Sequence, residues 1–243
     1  MKAGRGKAPS ERGRPRFTSR GRSKRKRILD AAAKVLARRG YSGTQMSEIA
    51  EEAGTLAGSL YYHFKSREDL IEQVLREGVT SAFARTREIV DALGAAAPAR
   101  ERLEAAIRAH LKFQLVESDY ARGAVRSIGH YPDDMWARTN SQFRSYGRFF
   151  DNLIVAAMKA GDIDPEVNRS AFRMLILGAA NWAPEWYRSG GSLPAEEIGD
   201  LLVRLVFDGV GSRNARASLR NGLAVSGAHA RISSRNHANA KEA

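Results

Sequence analysis

Residues 44–70 read TQMSEIAEEAGTLAGSLYYHFKSREDL, and the placement of their apolar positions decides the fold. Met46, Ile49, Ala50 and Ala53 fall on one face of a short helix, with Thr44 as a suitable N-cap. Gly54 breaks that helix. A second short helix then runs to about Phe64 with Leu60 and Phe64 inward, and Ser66 caps a longer one with Asp69 three residues on, as in a capping box. Upstream, Ile28, Ala31, Ala32, Val35 and Leu36 share a helical face that Gly40 closes, with Tyr41 placed to fold back on it. Two short helices joined through a glycine, with a third packed before them, make a helix-turn-helix.

The residues left on the outer side carry the chemistry. A helix that enters the DNA major groove needs small residues on its leading turn, so that its backbone can approach base edges. Ala57, Gly58 and Ser59 supply that turn. Gly58 costs about 1 kcal/mol against Ala inside a helix, so some contact should need it small. With Leu60 and Phe64 inward, Tyr62 and His63 turn outward, beside Lys65 and Arg67 at the start of the following helix, as a phosphate-binding row. The competing reading is that the small residues serve helix packing and Tyr61 belongs to the core.

Charge points to the same partner from another direction. The 243 residues hold 40 Lys+Arg and 27 Asp+Glu, a formal charge of +13. Residues 1–27 contain 12 basic residues and only Glu11; residues 212–243 contain six and only Glu242. The stretch between them has 22 basic and 25 acidic residues, so the body is mildly acidic and the basicity lies in two tails. Both tails are too poor in large apolar side chains to offset chain entropy, so 1–21 is expected as a disordered basic arm and 212–243 as a disordered basic tail. Arg22, Lys24 and Arg25 join the DNA-binding set, because N-terminal arms of this motif follow the minor groove or backbone. No apolar run suited to a secretory signal precedes Ile28, and the glycines and prolines of 1–21 oppose an amphipathic presequence. The longest nearly apolar window is far short of the ~20 residues of a membrane span, so no membrane partner is expected.

Beyond residue 70 the helical period continues. The fourth helix carries Leu70, Ile71, Val74, Leu75, Phe83, Ile89 and Val90 to about Leu93. Helices are expected at about 98–116, 119–130 and 133–160, then at 165–188, opened by Pro165 and strained near Pro184, and at 195–210. No alternating strand pattern or internal repeat interrupts them. The expectation is an all-α chain of about nine helices, with a helix-turn-helix domain at 22–66 and a helical effector-binding and dimerisation domain at 67–211. Phe113, Tyr120, Tyr131, Trp136, Phe143 and Tyr146, interleaved with polar Gln114, Asn140 and Asn181 and joined by Trp182, are candidates for an apolar pocket with a few orienting groups. They serve equally well as ordinary core.

The segment 26–75 also resembles the DNA-binding domain of the TetR family of bacterial regulators. The matching residues are Ile49-Ala50, Ala53-Gly54, the string Gly58-Ser59-Leu60-Tyr61-Tyr62-His63-Phe64, and Lys65-Ser66-Arg67-Glu68-Asp69-Leu70, in order and spacing. The resemblance implies that Thr44, Tyr61, Tyr62, His63 and Arg67 hold phosphates, and that Gln45, Ser47, Ala57 and Ser59 lie near bases of a palindromic operator. It also implies a homodimer built through the last two helices, for which Leu175, Gly178, Ala179, Trp186, Ile198, Leu201, Leu202 and Leu205 are the candidates. Family members usually have Thr in place of Gln45, often Arg in place of Ser47 and commonly Ser in place of Leu56, so the base contacts do not transfer directly. The stretch Asn181-Trp182, Trp186 to Leu193 and Glu197-Ile198-Gly199-Asp200 is similar to the C-terminal helices of members that answer to acyl-CoA thioesters in fatty-acid or steroid breakdown. A CoA effector needs cations for its phosphates, and Arg126, Arg138, Arg144, Arg148, Arg173 and Arg188 are available.

These features lead to a cytoplasmic, nucleoid-associated transcriptional regulator, a repressor released by a small-molecule effector such as an acyl-CoA or other lipid metabolite. Two other classes compete. A basic nucleic-acid binder driven by its tails would bind without sequence preference. A helical enzyme finds little support: there is no HExxH helix, GxSxG elbow or Walker A loop, and zero cysteine removes thiol catalysis and Cys-ligated zinc. His130 with Asp133 and Asp134 is the nearest approach to a metal cluster, and reads as a capped helix end across Pro132. Neither a catalytic residue, a metal site nor a cofactor is expected.

Overall fold

The computed structural model describes the backbone of residues 19–208 and the side chains of 23–208. Nine α-helices and one π-helical segment make up this region: α1 Ser19–Gly43, α2 Met46–Glu52, α3 Ala57–His63, α4 Arg67–Ala92, α5 Ala99–Lys112, the π segment Phe113–Glu117, α6 Asp119–Arg126, α7 Asp133–Ala160, α8 Arg169–Trp186 and α9 Ala195–Phe207. The expected all-helical order holds, and no strand occurs among the described residues.

Helix α1 starts at Ser19, ahead of the apolar period that begins at Ile28. Its first turns are rich in Arg and Lys, which are good helix formers but leave no apolar mark in the sequence. The dense basic run 20–27 is therefore helical, and of the expected arm only 1–18 lies outside the described residues. The 212–243 tail lies outside them too, as does the side chain of Arg22. Gly40 sits at φ 69°, where a side chain would be strained, and the chain kinks there before continuing to Gly43.

Thr44 does not cap α2. Its hydroxyl donates to the Gly40 carbonyl at 2.7 Å, and Gln45 occupies the cap position without a side-chain bond. Gly54, at φ 59°, makes the turn from α2 into α3. Ser66 caps α4 as expected, its oxygen accepting from the Asp69 N–H at 3.1 Å, while Asp69 accepts from the Lys65 N–H. Ile28, Leu36, Ile49, Leu60, Phe64, Leu70 and Leu75 close the core of this head. Its outer edge is laced by Lys34 and Arg38 on Glu52, which hold that carboxyl below the usual carboxylate range.

Helix α6 ties the head to the body by packing against both α1 and α4. Both contacts depend on glycine. A Cβ at Gly78 of α4 would collide with the carbonyl of Tyr120, and one at Gly123 of α6 would lie 3.2 Å from the Leu36 side chain of α1. Tyr120 completes the tie, its hydroxyl donating to Asp30 of α1 at 2.7 Å.

The remaining helices follow the sequence closely, with three differences, the first being that α6, expected over 119–130, ends at Arg126. The segment expected as one helix over 98–116 is α5 and then a π-helical turn. Helix α8 begins at Arg169, because Asp164 forms a turn that accepts from the Glu166 N–H and Asn168 caps the helix by accepting from Ala171. Pro165 thus precedes the helix instead of opening it. Gly161 closes α7 in the left-handed conformation.

Candidate functional site

The outer face of the head is formed by the leading turn of α3 and the start of α2. Ala57, Gly58, Gln45 and Ser47 are exposed, and Ser59 is half-exposed. A Cβ built on Gly58 meets nothing within 4 Å, so no packing inside the protomer requires glycine there. Tyr61 and Tyr62 project from the same helix, Tyr62 at 80% exposure, which removes the reading of Tyr61 as core. Lys65 follows, also exposed. His63 is only half-exposed, with its ring edge-on to Tyr62. Burial, then Lys24 and Arg25, lower its pKa, so it is neutral near pH 7 in the free protein.

Two members of the expected row are committed elsewhere. Thr44 is buried, its hydroxyl occupied by Gly40 and its carbonyl accepting from Arg67 Nε at 2.6 Å. Arg67 also donates to the Tyr41 carbonyl, pairs with Glu68 and lies over the Tyr41 ring. These bonds use three of the five N–H groups a guanidinium offers, making Arg67 a strut between the α1–α2 corner and α4. Arg25 is bound to Gln73 and lies over Phe64, which draws it from the basic run toward the core.

A cavity of about 990 Å³ lies in the body, walled by α4, α5, α6, α7 and α8. Its size is at the upper end of small-molecule sites. Most of the wall is apolar, including Val79, Ala82, Phe143 and Leu177. The buried floor carries one polar chain. Thr86 Oγ1 and the Tyr146 hydroxyl are 2.7 Å apart, Tyr146 reaches His110 Nδ1 at 2.9 Å, and His110 Nε2 reaches Asn181 Oδ1 at 3.0 Å. Burial lowers the His110 pKa to about 4 and raises that of Tyr146, so both are neutral at pH 7. At the exposed side, Arg126, Arg144 and Arg148 line the cavity, and Arg144 and Arg148 form no ion pair among the described residues.

The apolar face of α8 and α9 is a third feature. Leu175, Trp182 and Trp186 are exposed, Leu175 at 72%, with Gly178 and Ala179 between them and Leu201 and Leu205 alongside on α9. Seven such residues on two helices are more exposed apolar surface than single scattered side chains leave, and Gly178 and Trp182 also line the cavity.

Family models of known proteins match this chain over two segments. Residues 28–74 match the bacterial regulatory proteins of the tetR family, and residues 96–210 match a tetracyclin repressor-like C-terminal domain. The HTH-type transcriptional repressor KstR2 of Rhodococcus jostii is 31% identical over 211 residues, spanning 80% of this chain and 95% of that protein. The chain belongs to the TetR family. Among solved structures, AibR in complex with isovaleryl coenzyme A and operator DNA superimposes with a TM-score of 0.68 at 24% identity, over 76% of this chain and 98% of that one. FadR from Bacillus subtilis in complex with stearoyl-CoA gives 0.63 at 22% identity, over 76% and 99%. At those identities the two structures show the shared fold.

The expected pocket of this TetR-family chain divides. Gln114, Trp136, Asn140, Phe143, Tyr146, Asn181 and Trp182 line the cavity. Phe113 is core, Tyr120 is turned to Asp30, and Tyr131 donates to the Ala124 carbonyl beside Tyr41. Each lies near the cavity, Tyr131 in the loop between α6 and α7, but faces another neighbour. His110 was missed, since a lone histidine on the buried face of an amphipathic helix gives no pattern to find it by. Of the expected cations, Arg138 is paired with Glu72 and Asp134, Arg173 is paired with Asp151, and Arg188 is exposed away from the cavity. Ile198 and Leu202 are buried against the protomer's own core, so they leave the interface set, while Leu175, Gly178, Ala179, Trp186, Leu201 and Leu205 remain outside. No group of three or more metal-ligating side chains occurs among the described residues, nor a helix long and apolar enough to cross a membrane.

Proposed function

We propose that this TetR-family protein is a transcriptional repressor that binds a palindromic operator as a homodimer and leaves it when a CoA thioester fills the cavity. The observation that carries the DNA-binding half is Gly58: an exposed glycine inside a helix, with open space about its Cα, lowers helix stability without serving the protomer. A surface that must admit a close neighbour explains it. Tyr61, Tyr62 and Lys65 flank that turn as phosphate ligands, and the cationic 1–27 segment adds salt-sensitive affinity. Such a protein works in the cytoplasm on the nucleoid, and binding, not catalysis, is its activity.

The exposed apolar face of α8 and α9 is what a second copy would cover. Leu175, Trp182 and Trp186 on α8 and Leu201 and Leu205 on α9 give a two-helix surface that its own copy matches by two-fold symmetry. Two copies then present two α3 helices to successive half-sites.

The effector half rests on the cavity's two ends: an apolar interior for an acyl group and exposed arginines for phosphates. KstR2 is named a repressor, and AibR and FadR were captured with CoA thioesters, which favours the same ligand class here. Release runs through α6, which contributes Ala121, Ala124 and Val125 to the cavity and packs without clearance on α1 and α4. The test is selection of bound duplexes from random DNA, followed by titration of acyl-CoAs into the selected complex. A palindromic consensus and release at saturating acyl-CoA are expected. Binding without sequence preference would favour the basic-tail reading, and retention of DNA with acyl-CoAs of every chain length would remove the effector assignment.

A further inference from the structure

The cavity floor holds more polarity than a plain hydrocarbon chain can use. Gln114 is 2% exposed, lines the cavity, and its Oε1 has no hydrogen-bond partner in the protein. Its Nε2 makes only a long 3.5 Å contact to Asn181 Oδ1. Asn181 spends that oxygen on His110 and Gln114, and its own N–H groups have no protein partner among the described residues. The floor therefore presents an unused acceptor oxygen, Gln114 Oε1, and an unused donor nitrogen, Asn181 Nδ2. Turning both amides over exchanges the two roles but still leaves one of each.

The π-helical turn is what puts Gln114 there. Helix α5 changes pitch directly after Lys112, and Gln114 is the second residue of the widened turn. Such turns are energetically poor and concentrate at functional positions. A buried acceptor left unpaired loses its hydration without recovering a bond. Any ligand that displaces water from this floor has to bring a donor to Gln114 or incur that loss.

We propose that the effector is an acyl thioester whose acyl part, chain or ring, carries a hydroxyl at its inner end, held between Gln114 and Asn181. This rests on the reading of the cavity as a CoA-thioester site. A hydroxyl donates once and accepts from another group, which matches the floor. It belongs at the inner end because the arginines that suit the phosphates are exposed at the rim and Gln114 is buried. A carboxylate at that end is disfavoured: Tyr146, His110, Asn181 and Gln114 are all neutral there, and Arg173, the one largely buried arginine of the lining, is already paired with Asp151. Sites built to hydrogen-bond a hydroxyl reject analogues lacking it far more strongly than apolar pockets reject a methylene.

The experiment is calorimetric titration of the full chain with ω-hydroxyacyl-CoAs of graded chain length, each against the unsubstituted acyl-CoA of equal length. At the length that reaches the floor, the hydroxylated thioester should bind tenfold or more tightly. The 3-hydroxy isomer, with its hydroxyl near the thioester, should gain nothing. In Gln114→Leu the preference should vanish while the unsubstituted ester binds as well or better. Equal affinities at every length in the unaltered chain overturn the proposal, whether or not the variant folds, and so does a preference that survives Gln114→Leu. If unsubstituted esters bind and release DNA without any hydroxyl preference, the CoA reading stands and this one fails. If no CoA ester of either kind binds at any length, the CoA reading and this one fail together.

Discussion

The head and the body use their polar residues in opposite ways. On the head, Gly58, Tyr61 and Tyr62 face outward, take no part in closing the core, and can be altered at little cost to folding. In the body, Thr86, Tyr146, His110 and Asn181 are knitted into the interior, so the groups that would recognise an effector also hold α4, α5, α7 and α8 together. Recognition of DNA should separate from stability on substitution, and recognition of the effector should not. The apolar α8–α9 face stands between these cases, outside the protomer but inside the proposed dimer.

The largest effect should come from that face. Leu175→Glu combined with Leu205→Glu places charge on both helices and should leave a folded monomer at micromolar concentration, seen by sedimentation. Operator affinity should fall about a hundredfold or more, since each half-site is then bound alone. A variant that remains dimeric would move the interface elsewhere.

His110 gives the next effect. Its pKa is about 4 when folded, against about 6.5 unfolded, so the neutral form stabilises the fold fully above pH 6.5, and this contribution is lost as pH falls to 4. A difference of that size corresponds to roughly 3 kcal/mol. Urea unfolding from pH 7 to 4 should show that loss in the unaltered chain and a flatter profile in His110→Phe, whose neutral-pH stability is lower. Parallel profiles would mean that the histidine is not buried neutral.

Gly58→Gln sharpens the contrast most directly, because its two readouts should move in opposite directions. Helix propensity predicts a gain in stability of up to about 1 kcal/mol. Operator affinity should drop by roughly tenfold, about 1.4 kcal/mol, as the added side chain keeps the backbone from the groove. Unchanged affinity would take α3 out of the groove. The smallest effect should follow removal of residues 1–18, which carry six basic residues and one acidic. The salt dependence of DNA binding should flatten with the consensus unchanged; an unaltered slope would leave the segment without a role in binding.

Legibility in the sequence follows the same division. Helix periods are local, so Leu60 and Phe64 inward and Tyr62 outward were readable from spacing alone, as was the Ser66 cap. Thr44 and Arg67 were not. Both suit a phosphate surface by type, and only the packing of the α1–α2 corner against α4 shows that they bond each other. Tyr120 and Tyr131 have the composition of pocket aromatics, but each turns to a partner far away in sequence or across a loop.

The sequence by itself determined an all-helical chain, a helix-turn-helix with a small leading turn, and a division of charge between a mildly acidic body and basic ends. These are properties of spacing and composition, which each segment carries without its neighbours. Tertiary structure decided which polar groups meet: His110, Tyr146 and Asn181 come from α5, α7 and α8 to one floor, and the π turn brings Gln114 beside them. It also decided that Ile198 and Leu202 are core while Leu201 and Leu205, on the same helix, are not. The reason is that an apolar stripe records that a face is buried, but not by which surface; only the packed helices α5, α8 and α9 determine that.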